Sequence, residues 1–200
     1  MPRVHTRTRQ RAVTKHPMVC NSCSQEIARG DEYYTWEKRY GGPQYRHVSC
    51  GYPRQSDLSS AKTAQLHDAI SDAQDQIASW DPDAESPDTS DLESFLSDVA
   101  STARDVAQEY RDSYDNLPEN FQMGATGEAL ETVADELESW ADEVESPSFS
   151  EDEPTYDEDP TESEEQIAKA RQETLESWTE NVRQEALDHL ESQDVPEHQG

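Results

Sequence analysis

A chain of 200 residues with 32% hydrophobic residues and a formal net charge of −29 cannot be organised around one large apolar core. Such a composition buries too little apolar surface to offset the entropy of ordering the whole chain. The charge also divides: residues 1–56 hold ten Lys/Arg against four Asp/Glu, whereas residues 57–200 hold six against 41.

No apolar run approaches the roughly 20 residues needed to cross a bilayer, and the N-terminus lacks the apolar stretch of a signal peptide. A soluble intracellular protein that does not engage membranes is therefore expected. The three cysteines are an odd number for a disulfide framework, which leaves metal ligation as their better use.

In chain order, residues 1–16 read as a flexible basic arm carrying Arg3, Arg7, Arg9, Arg11 and Lys15. Residues 17–56 then read as a zinc-binding module. Cys20-Asn21-Ser22-Cys23 and His47-Val48-Ser49-Cys50 give Cys-x2-Cys-x23-His-x2-Cys, a four-ligand set that uses every cysteine. A two-residue gap lets one tight turn present two ligands to the same ion, and a closed Cys3His set implies one structural Zn2+ with no open position for catalysis. His16 is an alternative to His47, less well placed because it precedes the first pair.

Between the pairs, Gly30-Asp31 reads as a turn, Tyr33 to Trp36 as a strand, and Gly41-Gly42 as a hairpin turn into a second strand. Ile27 and one face of that hairpin would supply a few core contacts. A knuckle, a β-hairpin and a ligand pair opening a helix is the order of a treble clef. Metal ligation, worth about 10–16 kcal/mol in finger peptides, would dominate the stability of so small a unit.

Residues 57–145 read as an acidic helical hairpin or bundle. Ser56 can cap a helix with Leu66, Ile70, Ala73, Ile77 and Trp80 on one stripe. Ser90, boxed by Glu93, opens a second with Leu92, Leu96, Val99, Ala103, Val106 and Tyr110. Thr126 opens a third with Leu130, Val133, Leu137, Trp140 and Val144. These narrow seams predict coiled-coil-like packing, within the chain or as a homo-oligomer. Residues 146–162, with three prolines and seven acids, read as a disordered linker. Residues 163–192 read as an amphipathic helix with Ile167, Leu175, Trp178, Val182 and Leu190, and 193–200 as a disordered tail. Leu137-Glu138-Ser139-Trp140 recurs as Leu175-Glu176-Ser177-Trp178, which packing of a Trp into each seam explains more simply than a repeated docking motif.

The Cys-x2-Cys, Ile27-x2-Gly30-Asp31 and His-x2-Cys elements resemble treble-clef fingers, and the ligand pattern is similar to the poly(ADP-ribose) polymerase-type finger. Met1 to His5, Gly30 to Gly42, Pro53 to Leu58, Asn116 to Glu119 and Thr126 to Glu128 resemble small phage- and virus-encoded zinc-finger proteins of unassigned function. That resemblance covers much of residues 1–145 and implies a viral or proviral origin in a host cytoplasm.

Function is expected in binding. Arg46, Lys38, Arg39, Trp36 and Tyr40 interleave basic and aromatic groups on the hairpin beside the basic arm, a pattern that meets phosphates and stacks on unpaired bases of DNA or RNA. The same aromatics would equally serve as the core of a small module. A protein-interaction adaptor that recruits a host or viral protein is the alternative, with an acidic nucleic-acid mimic a third reading. The dispersed acids and the Arg-over-Lys bias among the bases also suit a protein of concentrated salt. No Gly-rich phosphate loop, placed nucleophile or second metal cluster is visible, so no enzyme is expected.

Overall fold

The computed structural model describes residues 3–10, 17–38, 42–59, 61–149, 154 and 163–196. The chain divides into two compact units, Met1–Asp68 and Ala69–Gly200.

The first unit is built on a three-stranded antiparallel sheet in the order β1 (His5–Thr8), β2 (Glu32–Lys38), β3 (Gly42–His47). β1 lies in the segment expected to be a flexible arm. Its four residues pair with β2 from His5↔Thr35 to Thr8↔Glu32, and β2 pairs with β3 from Tyr33↔His47 to Lys38↔Gly42. Gly42 enters β3 at a φ of 70°, in the left-handed region that glycine adopts without strain. After β3 a 3-10 turn, Val48–Cys50, replaces the helix expected at the second ligand pair. The short helix α1 (Gln55–Leu58) follows.

Helix α2 (Ala64–Ser79) starts well after Ser56, where one continuous helix was expected. The reason is visible at Asp68. Its carboxylate accepts the backbone N–H of Gln55 at 2.8 Å and of Ser56 at 3.2 Å, together with the Ser56 hydroxyl. The first turn of α2 is thus folded back on α1. Asp68 here does for α1 what a capping side chain does from within a helix, satisfying N–H groups that have no intrahelical acceptor.

The second unit is helical, with α3 (Ser90–Asp115), α4 (Glu119–Gln122), α5 (Ala125–Val144) and α6 (Glu164–Glu191) joining the rest of α2. α3 and α5 run antiparallel. Ser97 hydrogen-bonds Glu145, Arg104 pairs with Asp142 and Glu145, and Arg111 pairs with Asp135 and Glu138, so partners on α5 descend as those on α3 rise. The hydrogen bonds from Arg111 hold the Glu138 carboxyl below its ordinary range, and those from Arg104 do the same for Glu145.

The apolar stripes match the sequence periodicity but are wider than a two-position seam. On α3, Ala100 and Ala107 are buried beside all six expected residues, and on α5 Ala134 and Ala141 join Val133, Leu137, Trp140 and Val144. This is the broad face of a globular helix packed on its neighbours. α6 docks on the same unit through Leu175, Trp178, Val182, Ala186 and Leu190. The Trp178 ring lies 5.8 Å from that of Trp80, and His189 Nε2 stands 3.1 Å from the carbonyl of Glu143 near the C-terminal end of α5. Both Trp residues of the repeated tetrapeptide are buried, as packing requires.

The helix starts differ slightly from expectation. Asp88 takes both the Ser90 N–H and its hydroxyl, at 3.0 and 2.6 Å, while Thr89 becomes the N-cap and reaches Glu93. Ser163 and Gln166 form a full capping box at α6.

Candidate metal centre

Two local structures bring four ligands together. The first is a knuckle between Met18 and Ile27. Val19 bridges Glu26, Ile27 N–H donates to Met18 O at 2.8 Å, and Cys20 N–H donates to Gln25 O at 2.8 Å. The turn inside it closes with Ser24 N–H to Cys20 O at 2.9 Å, and Ser24 takes a left-handed φ of 59°. Asn21 N–H donates to Tyr45 O at 2.8 Å, and its side chain reaches Gln44, which ties the knuckle to β3. The second structure is the end of β3, where His47 passes into the 3-10 turn carrying Cys50.

The ligand atoms of Cys20, Cys23, His47 and Cys50 all lie within 4.8 Å of one another, close enough to hold one metal ion. Cys20 Sγ is 3.9 Å from Cys50 Sγ, and His47 Nδ1 is 3.4 Å from Cys23 Sγ and 4.0 Å from Cys50 Sγ. A tetrahedral ion with Zn–S bonds of about 2.3 Å separates its thiolates by about 3.8 Å, so these spacings are compatible with one zinc. His16 lies outside the described residues.

The thiols are electrostatically unequal. Burial opposes ionisation of Cys20, but hydrogen bonds from the backbone N–H groups of Cys23, His47 and Ser22 outweigh it and bring the thiol down to about 6. Burial, with Cys23 and Cys20 close by, pushes Cys50 up to about 11. Cys20 favours the thiolate, whereas Cys50 holds its proton until a binding cation displaces it to solvent.

Asp31, in the turn at Gly30-Asp31, stands behind the histidine. His47 Nε2 faces Asp31 Oδ2 at 3.7 Å, on the far side of the ring from the thiols. The same oxygen accepts Ala28 N–H at 2.6 Å, and the backbone is held by Arg9 N–H to Asp31 O at 2.9 Å. A carboxylate behind a ligating imidazole fixes its tautomer and orientation.

The expected nucleic-acid residues divide by their surroundings. Arg9 is 4% exposed and pairs with Glu26 at 3.2 Å, latching the segment after β1 to the knuckle. Trp36 is 3% exposed and donates from Nε1 to Asp57 O at 3.0 Å. Arg46 pairs with Asp57 at 2.6 Å and donates to Cys50 O at 3.1 Å, bracing the ligand turn against α1. These three belong to the internal architecture, because their polar atoms are used where the chain crosses itself. Arg3 and Arg7 are exposed, Arg7 on β1. Lys38 ends β2, while Arg11, Lys15, Arg39 and Tyr40 lie outside the described residues.

No protein-family model matches this chain, and no significant match is found among curated proteins or solved structures. No helix among the described residues is long and apolar enough to cross a membrane.

Proposed function

We propose that this chain is a non-enzymatic zinc protein whose N-terminal unit binds nucleic acid through basic side chains along β1, with the acidic helices serving association. The observation that carries the reading is the exposure of Arg3 and Arg7 on and beside an edge strand of the metal-braced sheet, next in sequence to Arg11 and Lys15. Phosphate contact needs accessible cations on a fixed frame. Zinc supplies the frame: among the described residues, the buried cluster beside the ligands is Cys20, Ile27 and Tyr33 with Met18 and Tyr45 packed against it, too small to hold the sheet by itself. The resemblance to small viral zinc-finger proteins supports a viral or proviral source.

The test is binding of labelled single- and double-stranded DNA and RNA by the full chain across a salt series, with and without chelator. Zinc-loaded protein is expected to bind with affinity that falls linearly on a logarithmic salt scale. Chelated protein should lose both binding and near-ultraviolet circular dichroism from the sheet aromatics. Absence of binding at every salt concentration would refute the reading.

The adaptor reading keeps one supporting observation. Phe121 and Met123, at the tip between α3 and α5, are 52% and 83% exposed, a pair of large apolar side chains suited to a protein partner. It gains if nucleic acid is not bound.

A further inference from the structure

The pairing register sorts the sheet's side chains onto two faces. Arg7, Tyr33 and His47 form one cross-strand row, and His5, Thr35 and Tyr45 form the next, both on the same face because residues two apart along a strand point the same way. The opposite face carries Tyr34, Trp36 and Arg46. That face is used: Trp36 and Arg46 are bound to Asp57, and the Tyr34 ring lies 5.3 Å from Tyr52.

The first face holds a cavity of about 620 Å³ lined by Arg3, His5, Arg7, Tyr33, Thr35 and Tyr45. Its floor is the top of the metal-site core, since Tyr33 and Tyr45 pack with Cys20 and their rings meet edge-on at 6.0 Å. Its β1 wall carries two cations. A volume within the range of about 300–1,000 Å³ typical of ligand pockets admits one planar group and its substituents.

Resting on the nucleic-acid reading above, we infer that this groove takes one unpaired nucleotide of a single strand, its base against the Tyr45 side and its phosphate on the β1 side at Arg7. Charge sets the orientation. Two residues beyond the His5↔Thr35 pair come Arg3 and Glu37, at the same end of the groove, so Glu37 offsets Arg3 there and phosphate is drawn to the Arg7 end. The aromatic floor offers a sequence-tolerant surface, and the Thr35 hydroxyl and His5 imidazole offer hydrogen bonds to a base edge. A base stacked and paired inside a duplex cannot enter a concave site, so the groove discriminates by strandedness. Of the hairpin residues the sequence pointed to, Arg46 is bound to Asp57 on the other face, while Trp36 also borders the groove with its indole N–H held by Asp57.

The experiment uses the zinc-loaded full chain and a labelled 12-nucleotide single strand, with a duplex of the same sequence as comparison. Thr35→Trp fills the groove without changing charge and is expected to weaken single-strand binding by tenfold or more while sparing whatever duplex binding exists. Arg3→Gln with Arg7→Gln is expected to weaken both and to flatten the salt dependence. If Thr35→Trp no longer holds one equivalent of zinc, photocrosslinking of the unmodified chain to a strand carrying 5-iodouracil replaces it, with adducts expected on Tyr33 or Tyr45. Equal binding of duplex and single strand, undiminished by Thr35→Trp, overturns the groove and leaves the proposed function standing; crosslinks confined to other residues do the same. Displacement of the strand by inorganic phosphate at comparable concentration also overturns it, because a free anion is then the occupant. No binding to either nucleic acid refutes both readings.

Discussion

At His47 two sets of contacts share one ring: Nδ1 faces the sulfurs of Cys23 and Cys50 at 3.4 and 4.0 Å, and Nε2 faces Asp31 at 3.7 Å. Replacing the carboxylate by an amide keeps the turn's size and removes the charge that favours Nε2–H and ligation through Nδ1. Asp31→Asn is therefore expected to weaken zinc about 10- to 100-fold, the usual range for such outer partners. Competition with a chromophoric chelator reads it directly, and an unchanged dissociation constant would show that Asp31 is only a turn residue. The thiols make a second prediction. At pH 7 Cys20, at about 6, is mostly ionised before metal arrives, whereas Cys50, at about 11, is protonated. Zinc must displace the Cys50 proton, so affinity falls as pH falls, and falls more steeply once the pH drops through about 6 and Cys20 also binds a proton. Calorimetry in buffers of different ionisation enthalpy should register at least about one proton released at pH 7; none released would mean that Cys50 is not a ligand. The cluster of Cys20, Cys23, His47 and Cys50 was legible because Cys-x2-Cys and His-x2-Cys are local patterns that suit a metal ion. Asp31 was not, since its position depends on Arg9 pairing with it across 22 residues of chain. The internal contacts of Trp36 and Arg46 were hidden for a related reason: interleaved aromatic and basic residues look alike whether they face solvent or bind Asp57, Trp36 at its carbonyl and Arg46 at its carboxylate.

Among the elements, the helices were readable and the short strand was not. Leu92 to Tyr110 repeat at three and four residues, a period the chain carries in itself, and all six positions are buried. His5–Thr8 reads His-Thr-Arg-Thr, wholly exposed, and becomes a strand only through pairing with β2 some 27 residues later. The tip between α3 and α5 shows the same limit. Gln122 Nε2 caps it by donating to Leu117 O at 3.1 Å and Tyr114 O at 3.3 Å, and the α4 backbone then runs so close to α5 that a Cβ on Gly127 would sit 2.1 Å from Gln122 O. Backbone cannot yield there as a side-chain end can. Gly127→Ala is thus expected to cost about 1–3 kcal/mol, despite alanine's better helix propensity. Thermal melting of the helical signal checks this, and a variant as stable as the parent would mean that α4 shifts freely. Sequence showed Thr126-Gly127-Glu128 only as a helix start, because nothing local announces the approach of another segment.

For the whole molecule the governing quantity is charge. Residues 69–200 hold five Lys/Arg against 39 Asp/Glu, and the bridges to Arg104 and Arg111 tie down only four of those acids. Folding concentrates the remainder on the surface of a helical bundle, and their mutual repulsion opposes it. The Debye length shrinks from about 30 Å at 0.01 M salt to about 3 Å at 1 M, which removes most repulsion between exposed carboxylates and also weakens the few surface ion pairs. Repulsion involves far more groups than attraction here, and an exposed pair contributes no more than about 1 kcal/mol, so screening must favour the fold. The melting temperature of the helical signal is expected to rise steadily from low salt to molar sodium chloride. The same increase should loosen phosphate contacts at Arg3 and Arg7, so the two halves of the chain respond to salt with opposite sign. A melting temperature that is flat or falls with salt would mean that the acids are already compensated by close partners, and the dispersed acidity could no longer be read as fitness for concentrated salt.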